Sequence, residues 1–326
     1  MKKLTLLLLA LLYVTLTYAY TERDLLQKQA DINRLKEILV LDRQWVTYPD
    51  YNDRAGWDRF LGTFKDEYIR RGEKRLNYQW QVVKATDYLA FERTGNRQIM
   101  EKPFGANNGA IADLLMAELA EGKGRFVDQL INGVFNACEM TSWALAAHII
   151  VQPSHRALPA YDYPVIDLTS GDLGGLLAWT YHFMRPSFDK VDPEISRRLR
   201  HELQTRILDP YMNNDSFWWM GRNYNGRMLN NWNPWCNSNA LMCFMLLEDN
   251  RDTLAKAVHL TMESVDKFLN YIKADGACEE GPSYWGHAAG KTLDYLELLS
   301  DITGDKVNIF NLSLIHISEP TRRRGI

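Results

Sequence analysis

The sequence predicts an all-α domain, and three observations support this prediction. Apolar residues recur at helical spacing along almost the whole chain. No convincing run of alternating apolar and polar residues, the pattern of a half-buried strand, is present. Short loops separate the helical segments, so successive helices are expected to fold back as antiparallel hairpins. About ten such helices favour hairpins arranged around a ring, an incomplete α/α toroid; an irregular α-solenoid is the alternative, although no fixed-period repeat is visible.

Residues 1–19 have the organisation of a secretory signal peptide. Lys2 and Lys3 form the positive start, residues 4–16 are almost entirely apolar, and Ala19 is a small residue at the expected cleavage point. The apolar segment is short for a membrane span, which makes an uncleaved anchor the less favoured alternative. We therefore expect an exported protein, periplasmic or secreted, with no membrane association after cleavage.

The helices of the first half of the domain, residues 20–311, are marked by apolar repeats and by the glycines that follow them. Thr21 and Asp24 resemble a capping box that opens a helix carrying Leu25 and Leu35 inward. Further repeats predict helices over 57–68, ended by Gly72; over 76–83, ending near Gly95; over 111–119, closed by Gly122; and over 126–134.

The second half contains the clearest helix start in the chain. Asp192 is an N-cap acid and Pro193 occupies the first helical position. Behind them an apolar stripe repeats every four residues, at Ile195, Leu199, Leu203 and Ile207. Other helices are predicted at about 170–185, 237–248, 252–273 and 283–302.

Three loop-like stretches interrupt the helical pattern, at 151–169, 213–235 and 275–286. The last two concentrate polar and aromatic residues in a way that a solvated connector would not need. Long loops without repeats in a compact domain are often functional, so these two stretches are the candidate site.

Composition excludes one class of function and leaves another open. The formal net charge is −3, which argues against nonspecific nucleic-acid binding because that needs a broad basic surface. An acidic protein can still have a locally positive cleft, so an acidic polysaccharide remains possible as a ligand. The chain contains 10 Trp and 16 Tyr, whose flat faces suit sugar rings but serve equally well as core filler.

The cysteines and the missing motifs point to no metal or cofactor. Cys138, Cys236, Cys243 and Cys278 show neither a disulfide framework nor a CxxC pattern, although pairing between any two stays open. Cys236 and Cys243 are expected to share one helix face as small hydrophobic residues. The sequence has no HExxH, EF-hand, GxSxG or phosphate-binding glycine motif, so no cofactor is evident.

The loop DGACEEGPSYWGH places Tyr284 in the opening turns of a predicted helix. Unpaired backbone N–H groups and the positive end of the helix dipole favour anions there and make a tyrosinate less unfavourable. In the alternative interpretation Tyr284 and Trp285 are core anchors, while Glu279 and Glu280 are caps.

The stretch NNWNPWCNSN contains five asparagines within ten residues: Asn230, Asn231, Asn233, Asn237 and Asn239. An amide can donate a hydrogen bond to a carboxylate or to a developing oxyanion, although it cannot take up a proton. Most of these asparagines are expected to be turn formers.

The last residues, LSLIHISEPTRRRGI, continue no helix and resemble a translated sequencing-adapter read-through. We expect residues 312–326 to be a non-native tail, and the chain to end before its natural terminus.

Four stretches together resemble the heparinase II/III-like polysaccharide lyases of Bacteroidetes-type bacteria. They are CEMTSWALAAHI, ILDPYMNNDSFWWMG, NNWNPWCNSNAL and DGACEEGPSYWGHAAGKTLDYLELL, and the last two are the most specific. The resemblance covers roughly residues 20–311. It implies an α/α toroid followed by a β-sandwich domain that this chain lacks, and cleavage of uronate-containing glycans such as heparin, heparan sulfate or alginate by β-elimination.

The resemblance also assigns roles to residues. Tyr284 matches the tyrosine that acts as acid and base, Asn231 is the best match for the residue that binds the carboxylate, and Glu280 would orient this group or bind substrate. Contacts with the anionic chain are implied for Arg222, Arg227, Trp232, Trp235, Trp285 and His287. His148 and Glu139 would either face the cleft or be buried structure.

Two departures from the family limit this assignment. Related enzymes also use a His from the sandwich domain or the domain junction, so the resemblance leaves open whether this chain alone is active. The NNWNPW motif also lacks the Asn-His pair of some relatives.

Two other functions stay open. One is a toroid glycoside hydrolase, in which Asp275, Glu279 or Glu280 would supply one of two catalytic carboxylates. The other is a non-catalytic protein that binds oligosaccharide in an aromatic cleft. The sequence does not indicate an oligomeric state.

Overall fold

The protein is all-helical, as the sequence predicts. The computed structural model describes residues 22–223, 228–272 and 282–312, and none of these residues belongs to a β-strand. The α-helices are α1 (Ile32–Ile38), α2 (Arg54–Leu61), α3 (Lys65–Glu73), α4 (Ala85–Thr94), α5 (Gln98–Glu121), α6 (Val127–Glu139), α7 (Leu168–Val191), α8 (Pro193–Leu203), α9 (Asp209–Asn213), α10 (Trp232–Leu247), α11 (Arg251–Tyr271) and α12 (Trp285–Thr303).

The N-terminal helix starts later than predicted. Residues 25–29 form a turn, and α1 begins after Asp31, whose side chain accepts a hydrogen bond from the backbone N–H of Arg34. The earlier segment is held by side chains from α11: Asp266 accepts from the backbone N–H groups of Leu26 and Gln27. These tertiary hydrogen bonds replace the helical ones, which is why the capping-box pattern at Thr21–Asp24 opens no helix over the described residues.

Gly72 has a different role from the predicted one. It lies inside α3 rather than after it, and its backbone is buried against Ala117 of α5. A Cβ at this position would overlap the Cβ of Ala117. The glycine therefore allows α3 and α5 to approach closely, and does not end the helix.

The helix predicted from Leu76 to near Gly95 ends as predicted, with Gly95 in the left-handed conformation after α4. Its predicted start is wrong, because residues 77–84 are extended or irregular and α4 begins at Ala85. Asn107 of α5 is the physical reason. Its Oδ1 accepts from the backbone N–H of Gln81 at 3.1 Å, and its Nδ2 donates to the carbonyl of the same residue at 2.8 Å. The side chain of Asn107 thus pairs the backbone N–H and C=O groups that would otherwise form helical hydrogen bonds.

Two predicted helix boundaries, at Gly122 and at Asp192, are confirmed. Gly122 takes the left-handed conformation after α5, with φ 66°. Asp192 caps α8 by accepting from the N–H of Glu194, with Pro193 in the first turn. The four residues of the apolar stripe, Ile195, Leu199, Leu203 and Ile207, are all buried. The last of them lies in a π-helical turn, 204–208, that joins α8 to α9.

Helix α10 is the central helix of the C-terminal half. It packs against α7, α11 and α12, and its residues are buried on all sides. Cys236 and Cys243 lie on this helix as free, fully buried thiols, and burial raises the pKa of Cys243 to about 12. Both therefore act as small hydrophobic residues. Cys278 lies outside the described residues.

Within the part of the chain that the structure describes, no helix combines the length and the apolar character needed to cross a bilayer. The proposed signal peptide, residues 1–19, lies outside the described residues, as do residues 313–326 of the predicted tail.

Candidate functional site

The N-terminal turn of α10 organises the candidate site. Asn231 is the N-cap of this helix and is only 4% exposed. The side chain of Asn230 accepts from the backbone N–H of Trp232 at 3.1 Å, and the carbonyl of Asn231 accepts from the N–H of Trp235. The predicted loop 213–235 therefore ends earlier than expected, and both tryptophans belong to the first turn of the helix.

Trp235 connects three helices. Its ring stacks on His287 of α12, with centroids 5.1 Å apart and 14° between the planes. Its indole Nε1 donates to Asp172 of α7 at 2.7 Å, and Lys291 of α12 lies over the ring at 5.4 Å. The indole is fixed from α7 and α12 at once, which gives the site a rigid aromatic wall.

Tyr284 directly precedes α12 and has an exposed side chain. It is 48% exposed, and its ring meets the edge of His287 at 5.7 Å between centroids. Three residues predicted for the site, Tyr284, His287 and Trp235, thus form one continuous aromatic group. The tyrosine lies outside the packed core and near the start of a long helix, where the dipole favours negative charge.

A second group is centred on Trp232, three residues before Trp235 in the same helical turn. Trp232 meets the edge of His148 at 4.7 Å and contacts Trp218 at 5.5 Å. Nδ1 of His148 lies 2.7 Å from Oδ2 of Asp167, a fully buried carboxylate. The side chain of His148 is 14% exposed, so it is neither a surface residue nor a sealed core residue.

Three of the clustered asparagines are helical rather than turn formers. Asn233, Asn237 and Asn239 lie inside α10. Asn233 donates to the carbonyl of Trp219 at 2.7 Å, and Asn237 accepts from the hydroxyl of Tyr211 at 2.5 Å. Burial raises the pKa of Tyr211, which keeps it a neutral donor. Asn233 and Asn237 therefore hold the interior together, while Asn239 donates to Asp172 at 2.8 Å.

The arginine predicted to bind substrate is engaged elsewhere. Arg222 donates to Asp215 at 2.6 Å and to the backbone carbonyl of Tyr211 at 2.8 Å. These contacts hold Arg222 against the segment 211–215. Its role as a substrate contact stays a prediction.

Some predicted residues lie outside the described structure. They are Arg227, Glu280 and the side chain of Trp285. The hydrolase alternative falls there too, because Asp275 and Glu279 are also outside the described residues. Of the residues whose role the resemblance left open, Glu139 is exposed and lies 3.4 Å from Arg198, so it belongs to a surface ion pair.

Sequence reasoning missed Asp167 and Trp218 as members of the site. Asp167 precedes a predicted helix, and an Asp in that position is a sequence signal for a helix cap. In the structure its side chain accepts from the N–H of Ser170 at 2.8 Å. Its pairing with His148 across the proline-rich loop has no such signal in the sequence. Among the described residues, no three His, Cys, Asp or Glu side chains converge in a way that could hold a metal ion.

Comparison with known proteins adds no assignment. The sequence matches no known protein family, and a search of curated proteins gives no significant match.

Proposed function

We propose that this chain is the helical part of an exported polysaccharide lyase that cleaves uronate-containing glycans by β-elimination. The observation that carries the proposal is the half-exposed side chain of Tyr284 at the start of α12, packed on His287, which in turn stacks on Trp235. A phenol in that position is reachable by a glycan and is backed by rigid side chains. The resemblance of NNWNPW and EGPSYW to motifs of the heparinase II/III-like lyases also supports a lyase function.

The proposed reaction needs one group that moves a proton and one that holds the acid. Tyr284, as tyrosinate, takes the proton on the carbon next to the uronate carboxylate. The electrons of that C–H bond form a carbon–carbon double bond, and the bond to the glycosidic oxygen breaks. The tyrosine then returns its proton to the leaving oxygen, so that no water is consumed.

Asn231 has the chemistry needed to stabilise the intermediate. The resemblance assigns its amide to the uronate carboxylate, where negative charge accumulates as the proton leaves, although the residue is only 4% exposed in this structure. A neutral donor suits this role because it binds the carboxylate without competing for the proton. The start of α12 lowers the cost of the tyrosinate through the helix dipole.

The toroid is part of the proposal. Consecutive helices pack on each other, α5 on α6, α7 on α8 and α10 on α11, as hairpins would. Helix α11 also packs on α1, and Asp266 binds the backbone at Leu26 across 240 positions of sequence. Contact between helices α1 and α11 supports a ring over an open solenoid. Export rests on residues 1–19 alone.

The proposal is tested by incubating protein from the gene's full reading frame with polyuronates and following ultraviolet absorbance of the new double bond. A lyase yields unsaturated ends and takes no oxygen from labelled water. A hydrolase yields saturated ends that carry the label, and a binding protein yields no products. Either of the last two outcomes contradicts the proposal.

A further inference from the structure

The buried pair of His148 and Asp167 lies beside the candidate site, and the proposed reaction does not use it. Asp167 accepts from Nδ1 of His148 at 2.7 Å and also from the backbone N–H groups of Leu145 and Ser170, at 3.1 and 2.8 Å. The carboxylate is therefore fixed from three directions. Through its contact with Nδ1, Asp167 holds the imidazole of His148 in one orientation.

Arg97 fixes the tautomer of this imidazole. Its Nη2 lies 3.2 Å from Nε2 of His148. Because a guanidinium can only donate, Nε2 is the acceptor, and the ring proton is on Nδ1, toward Asp167. An acceptor on His148 and a cationic donor on Arg97 thus lie side by side.

Two tryptophans form the wall next to these groups. Trp232 packs edge-on against His148, and Trp218 packs on Trp232 while remaining 44% exposed. An exposed indole face is a surface on which the C–H face of a sugar can lie. The aromatic wall and the cation that His148 holds beside it are two elements that suit a charged sugar ring.

Arg97 supplies the cationic N–H groups with which an acidic sugar ring would pair. The side chain of Arg97 is 46% exposed, and Glu101 engages its Nε at 2.6 Å, whereas Nη2 is directed toward His148. Asp167 is buried and already satisfied by its donors. The terminal N–H groups of a guanidinium are those that pair with a carboxylate or a sulfate.

We propose that Arg97, His148 and Trp218 form a subsite that binds an acidic sugar residue adjacent to the one being cleaved. The sugar ring lies on Trp218 and its acid group pairs with N–H groups of Arg97, while Nε2 of His148 holds the guanidinium in place by accepting from Nη2. The subsite meets the catalytic groups at the first turn of α10, where Trp232 contacts His148 and Trp235 contacts His287. The inference rests on the proposed function, since it takes an acidic glycan as the ligand.

Calorimetric titration of the protein tests this subsite. The probes are an unsulfated oligouronate, a sulfated oligomer of neutral sugars and an uncharged oligoglucoside. The variants are Arg97→Gln and Trp218→Ala, both at exposed side chains, with folding checked by circular dichroism. Arg185→Gln is the matched control: it too is exposed and lies near an acid four residues later, Asp189, but about 27 Å along α7 from Asp167.

We expect the oligouronate to bind, and Arg97→Gln and Trp218→Ala each to weaken it about tenfold, while Arg185→Gln stays within about twofold of wild type. If Arg97→Gln also weakens binding of the sulfated probe, the subsite binds carboxylates and sulfates alike. If it weakens binding of the oligouronate only, the subsite is selective for a carboxylate. The uncharged oligomer should bind more weakly and be indifferent to Arg97→Gln.

The subsite is overturned if neither acidic probe binds the wild type, or if both variants bind the oligouronate as tightly as the control. The lyase proposal is tested by a different experiment, in which the absence of unsaturated products would contradict it. That outcome would not change the affinities measured by calorimetry.

Discussion

Trp235 and His287 stack with their ring centroids 5.1 Å apart and their planes 14° from parallel. This contact joins α10 to α12, and the hydrogen bond from Trp235 to Asp172 adds α7. Tyr284 packs against the same imidazole. The position of the proposed catalytic tyrosine therefore depends on a chain of ring contacts that begins in the central helix.

The link to α7 can be measured with a double-mutant cycle. Trp235→Phe keeps a ring for His287 but removes the indole donor, and Asp172→Ala removes the acceptor. We expect a coupling free energy of about 1 kcal/mol between the two changes, as for a hydrogen bond to a charged group near solvent. Urea denaturation of the four proteins measures it. A coupling of zero would mean that the 2.7 Å hydrogen bond adds no stability.

Two aspartate caps should differ strongly in their contribution to stability. Asp167 and Asp192 both cap helices, but Asp167 is buried and also binds His148 and the N–H of Leu145, whereas Asp192 is exposed. We expect Asp192→Ala to cost about 1 kcal/mol and Asp167→Ala about 3 kcal/mol or more, because the latter also leaves buried donors unpaired. Equal losses in chemical denaturation would contradict the proposed role of the buried carboxylate.

A pair of glycine substitutions separates close packing from helix propensity. Gly72→Ala should destabilise the protein by about 1–3 kcal/mol, because the new methyl group overlaps Ala117. Gly105, inside α5, has open space around it, so Gly105→Ala should stabilise by about 0.5–1 kcal/mol. Thermal and urea unfolding give both values. Stabilisation by Gly72→Ala would show that α3 and α5 do not approach as described.

Asp266 should make the free energy of unfolding depend on pH. Burial raises its pKa from 3.8 to about 6, although two backbone N–H groups donate to it. With a raised folded-state pKa, its contribution is fully present below the unfolded value and is lost as pH rises through the folded one.

The difference in stability between wild type and Asp266→Asn should therefore fall by about 2–3 kcal/mol from about pH 4 to about pH 7. Comparing the two proteins cancels the other titrating groups. Urea denaturation across this range measures the difference, and a difference that stays constant, or that grows with pH, would contradict the assignment.

Local signals in the sequence predicted the fold class and several helix boundaries. Gly122 and the pair Asp192–Pro193 were readable because the chemistry that ends or starts a helix lies within a few positions. The predicted start of the helix at Leu76 was wrong because Asn107, a buried side chain from α5, hydrogen-bonds the backbone of Gln81. A local sequence pattern does not show that Asn107 will bind a backbone 26 positions earlier in the chain.

The candidate site was predictable in part for the same reason. Tyr284 and His287 lie within one turn of each other, and Trp235 was singled out by its motif, so the three could be named. Asp167 and His148 meet across a loop of nineteen positions, and Arg97 comes from a third segment. Only the tertiary structure brings that group together.

Tyr284→Phe tests the central claim most directly, because it removes one hydroxyl and leaves the ring contact with His287. In protein from the full reading frame, we predict that formation of unsaturated product falls at least about a hundredfold, with circular dichroism and oligouronate affinity unchanged. Turnover of the phenylalanine variant at the wild-type rate would contradict the account.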